Sequence, residues 1–279
     1  MNTIDRRMTL AAVVATLSTL ALAVVWAMPL LWAASTAMRP EEQTVITPLQ
    51  WLPHPFVLSA FAHVLSVGNL SGWFLNSALT AIAVTVITIV ISLTAAYAFS
   101  QLRFAGSATL FWMAMVGFMF PFEALLIPLF REMHSFGLTN TLAGIVLPQV
   151  VSPVAIFVFK QFFDQIPKDF KEAAVLDGAS EWSVLFRVFL PLSKNIVYAV
   201  AIVVFIGAWN NFLWPFIIVT TPNMMTVPVG LTQVQDAYGV RYASDMAAAL
   251  LGGIPVALAY LVFQRRVTQG FLAASGLKG

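Results

Sequence analysis

Of the 279 residues, 60% are hydrophobic and 9% charged, whereas a soluble domain carries about a quarter charged. The 14 Lys+Arg against 12 Asp+Glu leave a net charge of +2, too little for a basic surface, so nucleic acid is not an expected partner. Cysteine is absent and His54, His63 and His134 are scattered, which removes disulfides, thiolate nucleophiles and recognisable metal clusters together.

What remains is an integral membrane protein, and the placement of its charges supports that. A charge-free run of about 20 residues can cross roughly 30 Å of hydrocarbon as a helix. Met8 to Met38, Trp73 to Leu102, Met133 to Phe159, Asn195 to Gln235 and Met246 to Gln264 carry no formal charge, and Phe104 to Phe130 carries only Glu123. Trimmed by turn residues, these runs predict an all-α, multi-pass chain with spans near 9–34, 74–100, 107–130, 141–163, 194–219 and 246–265. They form a single membrane domain over 1–279. A β-barrel is disfavoured because Ala81 to Ser92 is apolar or hydroxylated on every face, without the alternation of a barrel strand.

The first span follows Arg6 and Arg7 and has small residues at Ala33 to Ala37, as a signal peptide would. Its apolar run is about twice the roughly 7–15 residues of a secretory segment, so an uncleaved helix is expected. The Lys and Arg count sets orientation. With both ends cytoplasmic, Arg6, Arg7, Arg103, Lys160, Lys168, Lys171, Arg187, Lys194, Arg265, Arg266 and Lys278 lie inside, leaving Arg39, Arg131 and Arg241 of the 14 outside. The 39–72 loop then faces outward, with Trp32, Trp51 and Trp73 expected as interfacial anchors.

The longest inward segment, Lys160 to Lys194, does not read as a linker. Pro167 suits a helix start, Asp177-Gly178 supplies a turn and Ser180 can cap a second short helix. Charged positions alternate with Phe170, Ala173, Ala174, Val175, Leu176, Trp182, Leu185 and Phe186, giving an apolar edge for a partner or for lipid headgroups.

The spacing adds more. Glu172-Ala173-Ala174, Gly178 after three residues, and Val188-Phe189-Leu190-Pro191 after nine more resemble the EAA loop of ABC importer permeases, Val188 replacing the usual Ile. Gly207-Ala-Trp-Asn-Asn-Phe-Leu-Trp-Pro-Phe216 and the tail from Gln264 to Gly279 resemble carbohydrate-importer permeases of the MalG type, with Phe271 and Leu272 departing from the usual Leu-Thr. The resemblance implies a type I importer fold in the bacterial inner membrane, a cytoplasmic coupling loop at 164–190 and a cytoplasmic tail at 266–279. In it, Glu172 contacts a cytoplasmic ATPase, Ala173 and Ala174 form the close-packed face, Asp177 and Gly178 make the turn, and Leu190-Pro191 closes the motif. The tail, with Lys278 and Gly279, reaches toward the ATPases. Implied partners are a second homologous permease, two ATP-binding cassette subunits and an extracytoplasmic binding protein.

No stretch reads G-x-x-x-x-G-K-[ST], so ATP and magnesium are expected on the partner ATPase, with no cofactor and no catalysis in this chain. For the substrate path, Glu123 is the one acidic residue within the spans; it either touches substrate or stabilises the break expected at Pro121 and Pro128. Pro215 frees a backbone carbonyl, so Asn210 and Asn211 are expected to face inward, toward sugar hydroxyls or another helix, with Trp209 or Trp214 able to stack on a sugar ring. The spans lack a mid-depth Lys or Arg, which favours a neutral sugar over glycerol 3-phosphate. A second reading is an ion-coupled carrier that uses Glu123 as its relay. A third, a non-transporting scaffold, gives no reason for the prolines and the interior carboxyl.

Overall fold

The computed structural model describes residues 10–45, 50–66, 69–234 and 240–274, with the backbone alone for 10, 11, 234 and 265–274. All regular structure among these residues is helical. In chain order the helices are α1 (Leu10–Ala37), α2 (Ser59–Ser66), α3 (Leu70–Gln101), α4 (Ser107–Gly117), α5 (Phe122–Ser135), α6 (Leu142–Val146) and α7 (Pro153–Asp164). They continue with α8 (Lys168–Leu176), α9 (Glu181–Val184), α10 (Leu190–Leu192), α11 (Lys194–Trp209), α12 (Leu213–Ile218), α13 (Val227–Gly230) and α14 (Tyr242–Ala274).

Three helices among the described residues are long and apolar enough to cross a membrane, at Ala12–Ala37, Leu70–Gln101 and Tyr242–Gln264. Other apolar stretches are bent. α4 and α5 meet at 98°, with Pro121 in an extended conformation at the N-cap of α5. Leu142–Gln149 meets α7 at 49°, because Pro153 drives Ser152 out of helical geometry. The run expected near 194–219 is interrupted at 210–212, where α11 ends and α12 begins, and α11 meets the preceding Glu181–Leu192 segment at 82°.

The chain packs as two units, one from residues before Asn69 and from 233–251, the other from Asn69–Thr232 and from Gly252 onward. In the first, α1 exposes apolar side chains from Val14 to Leu31 on every face, as suits a helix whose solvent is lipid. Below it Arg39 is 3% exposed and, among the described residues, paired with no carboxylate. Its guanidinium donates to the Ser35 hydroxyl (2.6 Å) and the Ser35 and Gln50 carbonyls (3.2 and 2.9 Å), and lies 5.2 Å from the Trp32 ring centre. Trp32 and Trp51 meet edge to face at 5.3 Å. The Glu41 carboxylate accepts from the Ala243 backbone N–H (3.1 Å), neutralising the positive end of α14.

In the second unit α3 is the axis, flanked by α7 and α11. Asn69 caps it, its side chain accepting from Gly72 N (3.2 Å). Where both faces of a contact can be lipid, apolar burial drives little, and close packing and polar pins carry the association. α3 supplies such pins. Asn76 donates to the Asn223 and Met225 carbonyls (2.9 and 3.0 Å) and Ser77 accepts from Val227 N (2.8 Å). Trp73, expected as an interfacial anchor, is instead buried and donates its indole N–H to Pro222 O (2.8 Å). A second cluster gathers Leu93, Ala96 and Tyr97 of α3 with Phe159 and Phe163 of α7, Val184 of α9, Phe189 and Ile196.

Gly230 lies so close to Trp73 that a Cβ there would fall 2.1 Å from the indole. Gly230→Ala must therefore push the indole away from its carbonyl, and a loss of about 1–3 kcal/mol is expected. Thermal unfolding of the purified chain in detergent checks this; an unchanged midpoint would refute the close-packed contact.

Candidate coupling surface

The segment between α7 and α11 folds for local reasons. Pro167 is the residue before the first helical turn of α8, and Asp169 sits in that turn, where an acidic side chain meets the helix dipole favourably. Asp177 ends α8. Gly178 N–H then donates to Val175 O and Ala179 N–H to Ala174 O, both at 2.9 Å, while Gly178 takes φ +79°: a complete Schellman closure. The Ser180 hydroxyl accepts from Ser183 N (3.3 Å), capping α9, which runs through a π turn at Leu185–Phe189 into α10.

This places the motif residues on two sides. Ala174, Ala179, Val188 and Leu190 pack on the aromatic cluster. Glu172, Ala173, Asp177, Gly178 and Pro191 are exposed, beside Phe170, Val175 and the 87% exposed Leu176. The alanine pair expected as one close-packed face is thus divided, because a 100° step per residue turns Ala174 onto the protein's own core and leaves Ala173 outside. Leu190 serves that core as well.

The inward side is anchored by charge. Lys171 pairs with Glu181 (3.1 Å), donates to Gln101 O at the end of α3 (2.9 Å), and lies 5.5 Å from the Tyr97 ring centre. The Tyr97 hydroxyl donates to Glu181, and its ring meets Phe163 and Phe189 edge to face at 6.4 and 5.2 Å. Beside them Ser100 donates to Asp164 (2.6 Å), which also pairs with Lys160 (2.7 Å). The Lys171 side chain is 19% exposed and that of Glu181 49%, so the ion pair itself contributes only ~0–1 kcal/mol; what it supplies is position. Burial works to raise the Glu181 pKa, but hydrogen bonds from Tyr97 and Lys171 and the Lys171 charge outweigh it and hold the carboxyl below its ordinary value.

Between α8 and the end of α3 lies a groove of about 570 Å³, lined by Ser100, Gln101, Arg103, Lys168, Lys171, Glu172, Val175 and Leu176. Its rim mixes cations, one carboxylate and two apolar side chains, a combination suited to another protein's surface. Lys278 and Gly279 lie outside the described residues.

The residues read as a substrate path do not converge on one cavity. Glu123 is exposed in the first turn of α5. Trp209 is 3% exposed and donates to Gly252 O (3.2 Å); Trp214 is fully buried, donates to Gly144 O (3.0 Å) and meets Phe122 edge to face. Both indoles are core residues in this conformation, with no face open for a sugar. Asn210 is exposed, whereas Asn211 donates to the Gln149 side chain (2.6 Å) and accepts from Trp214 N in the first turn of α12 (3.4 Å). Sequence reading missed Gln149 because nothing local marks it; 62 residues separate the pair. Tyr97 was missed similarly, as an ordinary aromatic in an apolar helix.

Residues 88–269 match the family model described as binding-protein-dependent transport system inner membrane component. Over 254 residues the chain is 32% identical to the arabinooligosaccharides transport system permease protein AraQ of Halalkalibacterium halodurans, covering 90% of this chain and 91% of that one. It is 32% identical to the trehalose/maltose transport system permease protein MalG of Thermococcus litoralis, covering 92% and 94%. It is equally 32% identical to the sn-glycerol-3-phosphate transport system permease protein UgpE of Yersinia pestis, covering 88% and 90%. In fold it is similar to a chain of a bacterial ABC transporter involved in import of the acidic polysaccharide alginate, with TM-score 0.81, 21% identity, and 95% and 99% of the two chains covered.

Two consequences of this geometry can be measured. A Cβ at Gly178 would meet nothing within 4 Å, so Gly178→Ala pays only for the left-handed backbone, about 1–2 kcal/mol, and Gly178→Asn should recover much of it. Faster hydrogen exchange over 168–180 in the alanine variant alone is the expected reading. Because the folded Glu181 pKa is depressed, its contribution is present above the ordinary value of 4.5 and is lost as pH falls through the lower folded value. The stability gap between wild type and Glu181→Gln should therefore be constant near neutrality and close on acidification; a constant gap throughout would contradict the assignment.

Proposed function

Since the chain belongs to the family of binding-protein-dependent transport system inner membrane components, we propose that it is the non-catalytic membrane subunit of an ATP-driven importer of sugars or oligosaccharides, coupled to its ATPase through α8. The observation that carries this reading is the two-sided loop. Its inner side is fastened to α3 and the aromatic cluster, and its outer side presents Glu172, Ala173, Val175 and Leu176. A helix fixed behind and open in front can be pushed.

ATP is bound and hydrolysed elsewhere, with its magnesium, because the chain has no phosphate-cradling motif. One docking helix serves one ATPase, so a closing ATPase pair requires a second, homologous permease, and an extracytoplasmic binding protein delivers the cargo. Both termini are placed in the cytoplasm on this reading, which the Lys and Arg distribution supports. Transport proceeds by alternating access, ATPase closure biasing the bent helices between inward-open and outward-open arrangements. Asn210 and Glu123 are the exposed polar groups available to a cargo hydroxyl. Neutral sugars are favoured over glycerol phosphates because no Lys or Arg stands at mid-depth.

The test is a mild-detergent pull-down of the tagged chain, with mass spectrometry and an ATPase assay on the eluate. An ATPase and a second permease should co-purify, and the matching binding protein can then be screened against sugars and glycerol phosphates. Glu172→Ala should insert normally yet reduce stimulation of the ATPase by loaded binding protein several-fold. Recovery of the chain alone, transporting under a proton gradient without ATP and silenced by Glu123→Gln, would replace this reading with an ion-coupled carrier.

A further inference from the structure

Docking explains the outer side of α8 but leaves open how a push on it reaches the membrane. The long helix α3 is the natural recipient, since α7 and α11 both pack along it. Tyr97 stands near its end at the crossing of every segment that borders the loop. Its ring touches Phe163 before the loop and Phe189 near the loop's end. Its hydroxyl donates to Glu181 at the start of α9, and its face is covered by Lys171 of α8. Lys171 in turn holds both Glu181 (3.1 Å) and the last carbonyl of α3, Gln101 O (2.9 Å). Lys171, the neighbour of Glu172 in sequence, reaches toward α3.

We propose that Tyr97, Lys171 and Glu181 form the joint that transmits movement of α8 to α3, and are positioning residues for energy coupling. This rests on the importer reading above. The joint is stiff for a geometric reason: side chains from two elements, Tyr97 of α3 and Lys171 of α8, share the Glu181 carboxylate of a third, and the phenol is held between two other rings. Displacing α8 and α9 together without α3 would break the Lys171 bond to Gln101 O and the Tyr97 bond to Glu181 at once, and displacing α8 alone would break both Lys171 contacts.

The experiment uses the full complex in proteoliposomes and the full chain in nanodiscs. Tyr97→Phe removes one hydroxyl and keeps the ring; Glu181→Gln removes the charge and keeps the shape. Both are expected to retain the ATPase in a pull-down, while sugar delivered per ATP hydrolysed falls about threefold to tenfold. Exchanging the charges, Lys171→Glu with Glu181→Lys, should recover part of the loss relative to Lys171→Glu alone. The chain lacks cysteine, so spin labels at Leu176→Cys and Val90→Cys, both exposed, report the α8–α3 distance directly. A narrow distribution should broaden in Tyr97→Phe and Glu181→Gln. Wild-type sugar delivery per ATP, or an unbroadened distribution, overturns the joint. Loss of ATPase retention in these variants does so too, because the residues would then be part of the docking face itself. If the unmutated chain retains no ATPase, the importer reading fails instead, and the label distances still judge the joint.

Discussion

A backbone at membrane depth must satisfy every N–H and C=O from within the protein. This chain interrupts its helices repeatedly, so each interruption needs a local remedy, and those remedies shape the fold. Ser152 accepts from Ala155 N (3.2 Å) where α7 begins, and Asn211 accepts from Trp214 N (3.4 Å) where α12 begins. Asn140, at φ +57°, takes the backbone N–H groups of Thr220 and Thr221 on its side-chain oxygen (2.7 and 3.0 Å) and donates its own to Ile218 O (3.0 Å). Asparagine tolerates that left-handed backbone better than other side-chain-bearing residues. Breaks closed in this way are defined bends between rigid pieces, which is the kind of structure that can exist in two packed arrangements.

The loop between α7 and α11 follows another logic. Its turn is closed by its own backbone, so it holds its shape as a unit; its attachment to the spans is made by its side chains. Ala174, Val188 and Leu190 supply apolar contact, and Lys171 and Glu181 supply direction. The apolar contact can slide, whereas the charged contact cannot move without losing hydrogen bonds. A half-exposed ion pair that adds little to stability therefore has a reason to be there in geometry rather than in energy.

Much of this was legible from residues alone. Composition sufficed for the membrane class, because charge-free runs of such length have few other homes. Asp177-Gly178 announced the turn after α8, and Ser180 the cap of the next helix, since both act within a few residues of themselves. The motif spacing pointed to the family, to which the matched residues 88–269 assign the chain. Pro121 announced an interruption, whereas Pro128 lies inside α5 without breaking it, and Pro215 sits inside α12 with the break falling just before it, at 210–212.

Which side chain meets which distant element was decided only in three dimensions. Ala173 and Ala174 are equivalent as letters, yet one packs inward and the other is exposed. Trp209 and Trp214 have the chemistry to stack on a sugar, but their N–H groups are taken by carbonyls 43 and 70 residues away and their rings are buried. Tyr97 and Glu181 are 84 residues apart, and neither carries a local mark of the other. Turns, caps and hydrophobic runs depend on neighbours in sequence and so are written there; faces, partners and joints depend on how separate helices cross, which packing alone determines.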